Sequence, residues 1–196
     1  ATSVVADSAD RIYVAGQTQS FFWAVGGNDT TFQGGSDGFL IRLTAAGGFV
    51  WSTYVGGNAN ETAHALAVDS ANRVYVVGET NSLGWVSGGY DTTLSGSSDG
   101  FVTKITGLGV HLWSTYVGGN VSESANAIAI DLGTNNVYVG GRTDSGGWVA
   151  GGFDTTYGSV QDGFIVRLAS TTGASVWSSY VGGSLQDTVT GLAMGA

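Results

Sequence analysis

"WSTYVGG" fills residues 51–57 and returns unchanged at 113–119, and "WSSYVGG" occupies 177–183. A phrase used three times belongs to architecture, whereas chemistry is usually carried by positions that occur once. Trp51 to Trp113 is 62 positions and Trp113 to Trp177 is 64. The same period aligns Asp7, Asp69 and Asp131, then Tyr13, Tyr75 and Tyr138, then Gly16, Gly78 and Gly141. Asp29, Asp91 and Asp154 correspond as well, as do Asp37, Asp99 and Asp162. Three units follow, residues 1–57, 58–119 and 120–183, with a remainder at 184–196.

The second unit shows the layout of each. "AHALAVDS" (63–70) is a short run of small apolar residues, and "RVYVVGET" (73–80) alternates β-branched and aromatic residues. "GFVTKIT" (100–106) puts Phe101, Thr103 and Ile105 on one face and Val102 and Lys104 on the other. "VHLWSTYV" (110–117) sets Trp113 and Thr115 opposite Ser114 and Tyr116. Period-two alternation over seven or eight residues reads as strand, and no segment sustains a helical period. A Gly-rich excursion, 81–99, separates the second strand from the third. Four short antiparallel strands per unit is the pattern of a β-propeller blade. The Ala/Val/Leu/Ile strand takes the crowded innermost place and the aromatic fourth strand the outer edge. In that scheme "WSTYVGG" is the outer strand and its exit turn, with Trp and Tyr covering neighbouring sheets and the Gly pair permitting a sharp return.

Composition excludes several classes. The 34 glycines show no three-residue period, which excludes collagen, and 42% hydrophobic residues with 11% aromatics exclude a disordered linker. A net charge of −9, from fifteen carboxylates against six Lys plus Arg, argues against nucleic acid and against anionic membrane surfaces. No apolar run approaches a membrane span of about 20 residues. There is no cysteine, hence no disulfide or thiolate metal site, and no proline, which leaves every N–H available to a sheet ladder. The acidic, Ser/Thr/Gly-rich, Lys-poor composition reads as extracellular.

On "VDSANRVYVVGETNS" (68–82), "GGYDTTLSGSSDGFVTKI" (88–105) and "WSTYVGG" the chain resembles the SBBP repeats, a family named for a seven-bladed β-propeller and common in bacterial secreted and surface proteins. The resemblance recurs in all three units and implies a β-propeller-type fold with structural or interaction roles and no catalytic set. One departure is the excursion, where "GWVSGG" and "GWVAGG" stand in place of the family's prolines.

Three blades do not close a ring, since closed propellers have about four to eight. Residues 184–196, "SLQDTVTGLAMGA", align with the innermost strand of a unit. The expected architecture is all-β: three four-stranded antiparallel blades plus one extra innermost-type strand, forming an incomplete ring. An unpaired strand edge invites pairing with another copy or with a further blade. The expected interface residues are Val189, Leu192 and Met194 on that strand and Val4 and Val5 on the opening strand.

Candidates for chemistry are few. His64 aligns with Thr2 and Asn126, and His111 with Phe49 and Ser175, so a repeated site would use neither. No catalytic residue and no cofactor is assigned. Asp29, Asp91 and Asp154, each in "DTT", are candidate Ca²⁺ or sugar ligands; the simpler reading is an Asx turn. Each "DGF" Asp stands five residues before Arg42, Lys104 or Arg167, and an ion pair is expected there. Trp23, Trp85 and Trp148, on the Gly-rich excursions, are candidate sugar-stacking residues, with packing against an adjacent blade as the alternative. Asn28, Asn60 and Asn120 lie in glycosylation triplets at three different repeat positions.

The function read from these residues is non-enzymatic: an extracellular or cell-surface structural repeat protein of bacterial origin, assembling with itself into a fibre or ring. The competing reading is a glycan-binding or adhesion module using the Trp loops. Neither nucleic-acid binding nor membrane insertion is expected.

Overall fold

The computed structural model describes residues 1–158 and 160–195. Twelve strands form three four-stranded antiparallel sheets, each built from strands consecutive in sequence. Blade 1 comprises β1 Ser3–Ala6, β2 Ile12–Thr18, β3 Asp37–Leu43 and β4 Phe49–Val55. Blade 2 comprises β5 Glu61–Val68, β6 Val74–Thr80, β7 Asp99–Ile105 and β8 His111–Val117. Blade 3 comprises β9 Glu123–Asp131, β10 Asn136–Thr143, β11 Asp162–Leu168 and β12 Ser175–Val181. The sheets are open meanders stacked in series, so the blade architecture expected from the strand pattern is the one observed.

Alternation decides what fills the space between blades. Tyr13, Leu40, Trp51 and Val55 of blade 1 meet Leu66, Val74, Val76, Phe101 and Ile105 of blade 2 in one buried cluster. Tyr75, Val77, Val102, Trp113 and Val117, on the opposite face of blade 2, meet Ile128, Ile130, Val137, Val139, Phe164, Val166 and Leu168 of blade 3 in a second. β5, β6 and β7 of blade 2 thus present apolar side chains to both clusters, and β7 is buried along its whole length, Lys104 included. The hairpins interlock too: the Ser8 hydroxyl donates to Asn72 Oδ1 (2.9 Å) and the Ser70 hydroxyl to Asn135 Oδ1 (2.9 Å).

Residues 184–195 depart from the expected extra strand, for they are not a strand. They nevertheless follow the path that the start of a next blade takes. The Asp187 N–H donates to Gln161 O (3.0 Å), as Glu61 does to Ser36 O and Glu123 to Ser98 O. The Val189 N–H then donates to Gly141 O (3.1 Å). The innermost strands β5 and β9 owe their ladders to β6 and β10 of their own blades. Among the described residues no strand pairs with the tail in that way, and it docks without becoming a strand.

Candidate functional site: the blade junctions

The repeated phrase is explained at the junctions. Trp51 Nε1 donates to Gly107 O of blade 2 (3.2 Å), and Trp113 Nε1 to Ser170 O of blade 3 (3.0 Å). Each Trp therefore ties its blade to the β3–β4 type turn of the next. Tyr54 and Tyr116 do not reach the following blade as expected; their hydroxyls donate to Ser20 O (2.8 Å) and Ser82 O (2.6 Å) in their own excursions. The second glycine of the phrase makes room for the next blade: a Cβ on Gly57 would come within 3.0 Å of Trp85, and one on Gly119 within 2.9 Å of Trp148.

The basic residues belong to the same junctions, which corrects the ion pair expected between Asp37 and Arg42, Asp99 and Lys104, or Asp162 and Arg167. Residues five apart in a strand point to opposite faces. Arg42 Nη1 instead donates to Gly107 O (2.8 Å) and Lys104 Nζ to Ser170 O (2.5 Å), beside the Trp that uses the same carbonyl. Arg167 Nη2 donates to Asn136 Oδ1 within blade 3. Lys104 also lies over the Tyr75 ring, 4.9 Å from its centroid, and burial, helped by Arg73, pulls its pKa down to about 8. Ion pairs form instead between Arg11 and Asp7 (2.5 Å) and between Arg73 and Asp69 (2.6 Å), across hairpin turns. Lys104 Nζ also lies 3.9 Å from Asp69 Oδ2, and Arg142 pairs with Glu79 (3.4 Å) between blades 3 and 2.

Two further carboxylates were not singled out in the sequence. Glu61 and Glu123, both fully buried, each bridge a junction. Glu123 Oε2 accepts the Gly119 N–H (2.8 Å) and its Oε1 the Thr143 hydroxyl (2.8 Å), while Trp148 Nε1 donates to the same hydroxyl oxygen (3.0 Å). Glu61 repeats this with Gly57, Thr80 and Trp85. In the tail Asp187 accepts the Gly183 N–H (2.8 Å). The signal was a carboxylate four residues after each glycine pair: Glu61, Glu123 and Asp187.

The "DGF" carboxylates face these bridges. Asp37, Asp99 and Asp162 are buried, and each Oδ2 accepts a backbone N–H, from Gln33, Ser95 and Gly158 respectively. In all three the Oδ1 is buried with no hydrogen-bond partner. Burial pushes the Asp37 carboxyl up to about 6, with Glu61 adding to the effect. It pushes Asp99 up to about 7, with Glu123, within hydrogen-bonding reach, adding to the effect.

The other candidate residues are placed as follows. Asp29, Asp91 and Asp154 each accept the N–H two residues on, from Thr31, Thr93 and Thr156 at 2.8–2.9 Å, the geometry of an Asx turn. Among the described residues no group of three or more His, Cys, Asp or Glu converges as a metal site. Trp85 and Trp148 are half-buried, edge-on to Phe101 and Phe164 with centroids 5.1 Å apart. Trp23 packs on Phe39 and Tyr54, but its Nε1 is buried without a partner. A polar cleft of about 440 Å³ opens between blades 1 and 2, lined by Asn28, Asp29, Asn58, Trp85 and His111 among others. His111 Nε2 lies 3.0 Å from Ser114 Oγ, and burial lowers its pKa; His64 Nδ1 lies 3.1 Å from Ala125 O. Asn28, Asn60 and Asn120 are exposed. Val5 packs into the junction with blade 2, whereas Val4, on the other face, is exposed. Val189 and Leu192 are half-buried and Met194 is exposed.

Stacked four-stranded meanders tied strand-to-turn define the class: a β-propeller-type repeat protein. Residues 50–84 match the family model of SBBP, a beta-propeller repeat, so the chain carries a repeat of that family. The matched stretch straddles a junction, from the last strand of blade 1 through the first two of blade 2. The chain is also similar to the regulatory protein FlaEY of Caulobacter vibrioides, 33% identical over 122 residues. That match takes in 60% of this chain and 13% of FlaEY, so the chain spans a small part of the curated relative it matches.

Proposed function

We propose that the protein is a non-enzymatic structural repeat protein of the bacterial exterior, and that its copies assemble through their end blades. One observation carries this reading: the two end faces are the two halves of a junction already formed twice inside the chain. Ile12, Val14 and Leu43 of blade 1 stand half-exposed where their counterparts Val74, Val76 and Ile105, and Val137, Val139 and Leu168, are buried. Trp177 of blade 3 is half-exposed where Trp51 and Trp113 are covered. A Cβ on Gly47 of blade 1 would meet nothing, whereas its counterparts Gly109 and Gly173 lie against Trp51 and Trp113. Trp177 of one copy fits over the Gly47 turn of the next, and the tail offers that neighbour an innermost-type segment. Such a contact is heterologous, closing as a ring or running on as a fibre. The acidic, Ser/Thr/Gly-rich, Lys-poor composition supports the location, and the likeness to a Caulobacter protein supports the bacterial source.

Light scattering behind size exclusion, with electron microscopy of the same fractions, tests it. Discs or fibres are expected from the wild-type chain, and monomers with unchanged β content from Ile41→Arg on the open face of blade 1. A wild-type monomer near 19.9 kDa at all concentrations sinks the proposal.

The cleft beside Trp85 favours a second reading, a glycan-binding module, because Asn28, Asp29 and Asn58 set hydrogen-bonding groups around an aromatic edge. Glycan-array binding that disappears in Asn58→Ala is the expected result on that reading. An array without hits removes it.

A further inference from the structure

Each internal junction brings together two buried carboxylates with too few donors. Around Asp99 and Glu123 the donors are the Ser95 and Gly119 N–H groups and the Thr143 hydroxyl, and Asp99 Oδ1 receives none. The charged and titratable groups facing the pair deepen the imbalance. Asp91 approaches Asp99 from its own excursion, Tyr116 approaches from β8, and Tyr157 and Tyr180 of blade 3 face Glu123. Among the described residues no Lys or Arg pairs with any of these carboxylates. The junction of blades 1 and 2 places Asp37 and Glu61 in the same positions, faced by Asp29 and Tyr116, but there Glu61 acts on Asp37 through charge alone. Two ionised carboxylates cannot share a buried site in hydrogen-bond range without a compensating positive charge.

We propose that the junction of blades 2 and 3 binds one proton, held on Oδ1 of Asp99 and donated to the bridging carboxylate of Glu123. The blades are thereby latched by an acid–carboxylate hydrogen bond. No bond other than O–H forms or breaks: the proton comes from solvent when blades dock and returns to it when they part. The orphaned oxygen gains a role, and the Glu keeps its bonds to the glycine N–H and the Thr hydroxyl. The same Asp oxygen is orphaned opposite Asp187 in the tail. Asp187 is only half-buried, so water reaches that pair and the proton is not required there.

The sign of the pH dependence follows. A carboxyl whose folded pKa lies above its unfolded value of 3.8 keeps more protons in the folded state between that value and about 7. Its contribution to stability is complete below about pH 4 and is lost as pH rises to about 7. Asp7, whose pKa is lowered, works the other way at the acid end: its contribution is present above 3.8 and is lost as pH falls through its folded value. Blade docking is therefore strongest in mild acid.

Thermal melts at about pH 5 and about pH 8 test the latch. The wild-type melting temperature is expected to fall by on the order of 5 °C across this range. Asp99→Asn, which donates an N–H in place of the proton, should lose less than half of that, while Asp10→Asn at an exposed turn keeps the wild-type drop. Equal drops in wild type and Asp99→Asn overturn the proposal. So does a wild-type chain stabilised at about pH 8 by calcium chloride when Asp99→Asn is not, since a cation would then occupy the place assigned to the proton. If Asp99→Asn does not fold, carboxyl ¹³C titration of the wild-type chain decides. An Asp carboxyl titrating near pH 7 supports the latch, and none titrating above about pH 5 overturns it.

Discussion

Trp113→Ala is expected to destabilise the chain by about 3–5 kcal/mol, and Trp177→Ala by no more than about 1–2 kcal/mol, although both sit in the same phrase. Trp113 is 3% exposed, donates to Ser170 O, stacks edge-on with Tyr75 and lies against Gly173. Its removal leaves a cavity spanning two blades and strands the Ser170 carbonyl, which then keeps only Lys104. Trp177 is half-exposed and contacts Tyr138 with centroids 6.2 Å apart, within its own blade. Denaturant midpoints of the monomeric fraction measure both. Equal losses would place the energetic role of this Trp inside its own sheet and remove the argument that it couples blades.

That contrast marks what could be read from the sequence. The period, the strands and their order within a blade were legible because alternation and turn chemistry are local. "GFVTKIT" alternates as β7, and the Asx turns at Asp29, Asp91 and Asp154 follow from three adjacent residues. What sits across a junction was not. Lys104 stands five residues from Asp99 in sequence, yet its partner is the carbonyl of Ser170, in another blade. The spacing rule that would have excluded the Asp–Lys pair is the two-residue period of the strand itself. The tail reads as a strand because its composition matches β5 and β9, but a strand is a property of a ladder, and no described residue pairs with the tail as β6 and β10 pair with β5 and β9. Glu61 and Glu123 stand outside the repeated Asp motifs, as the first residues of β5 and β9 after the short links that join one blade to the next. The four-residue spacing from each glycine pair to a carboxylate was the available clue.

Gly141→Ala is expected to cost about 3 kcal/mol, the upper end of what overpacking usually costs, while Gly16→Ala at the equivalent place costs about 1 kcal/mol. A Cβ on Gly141 would lie 1.9 Å from the carbonyl oxygen of Ser124 and 2.9 Å from the Phe164 ring. The Ser124 carbonyl belongs to β9 at a register shift beside Gly140 and Gly141, so relief requires the bulge to move. Gly78 meets Thr62 and Phe101 in the same way. At Gly16 the nearest atom is Cα of Ala1, at 2.8 Å, in an exposed segment ahead of β1, and the other neighbour is Phe39, a ring covered by Trp23 of blade 1's own excursion rather than by another blade. Both can yield. Comparable losses at Gly16 and Gly141 would mean that the glycine serves the blade rather than its bulged innermost strand. A loss confined to Gly141 and Gly78 ties it to the strand on which neighbouring blades converge, and thus makes the innermost strand, together with the Trp bridge at the outer edge, one of the two seams that hold the array together.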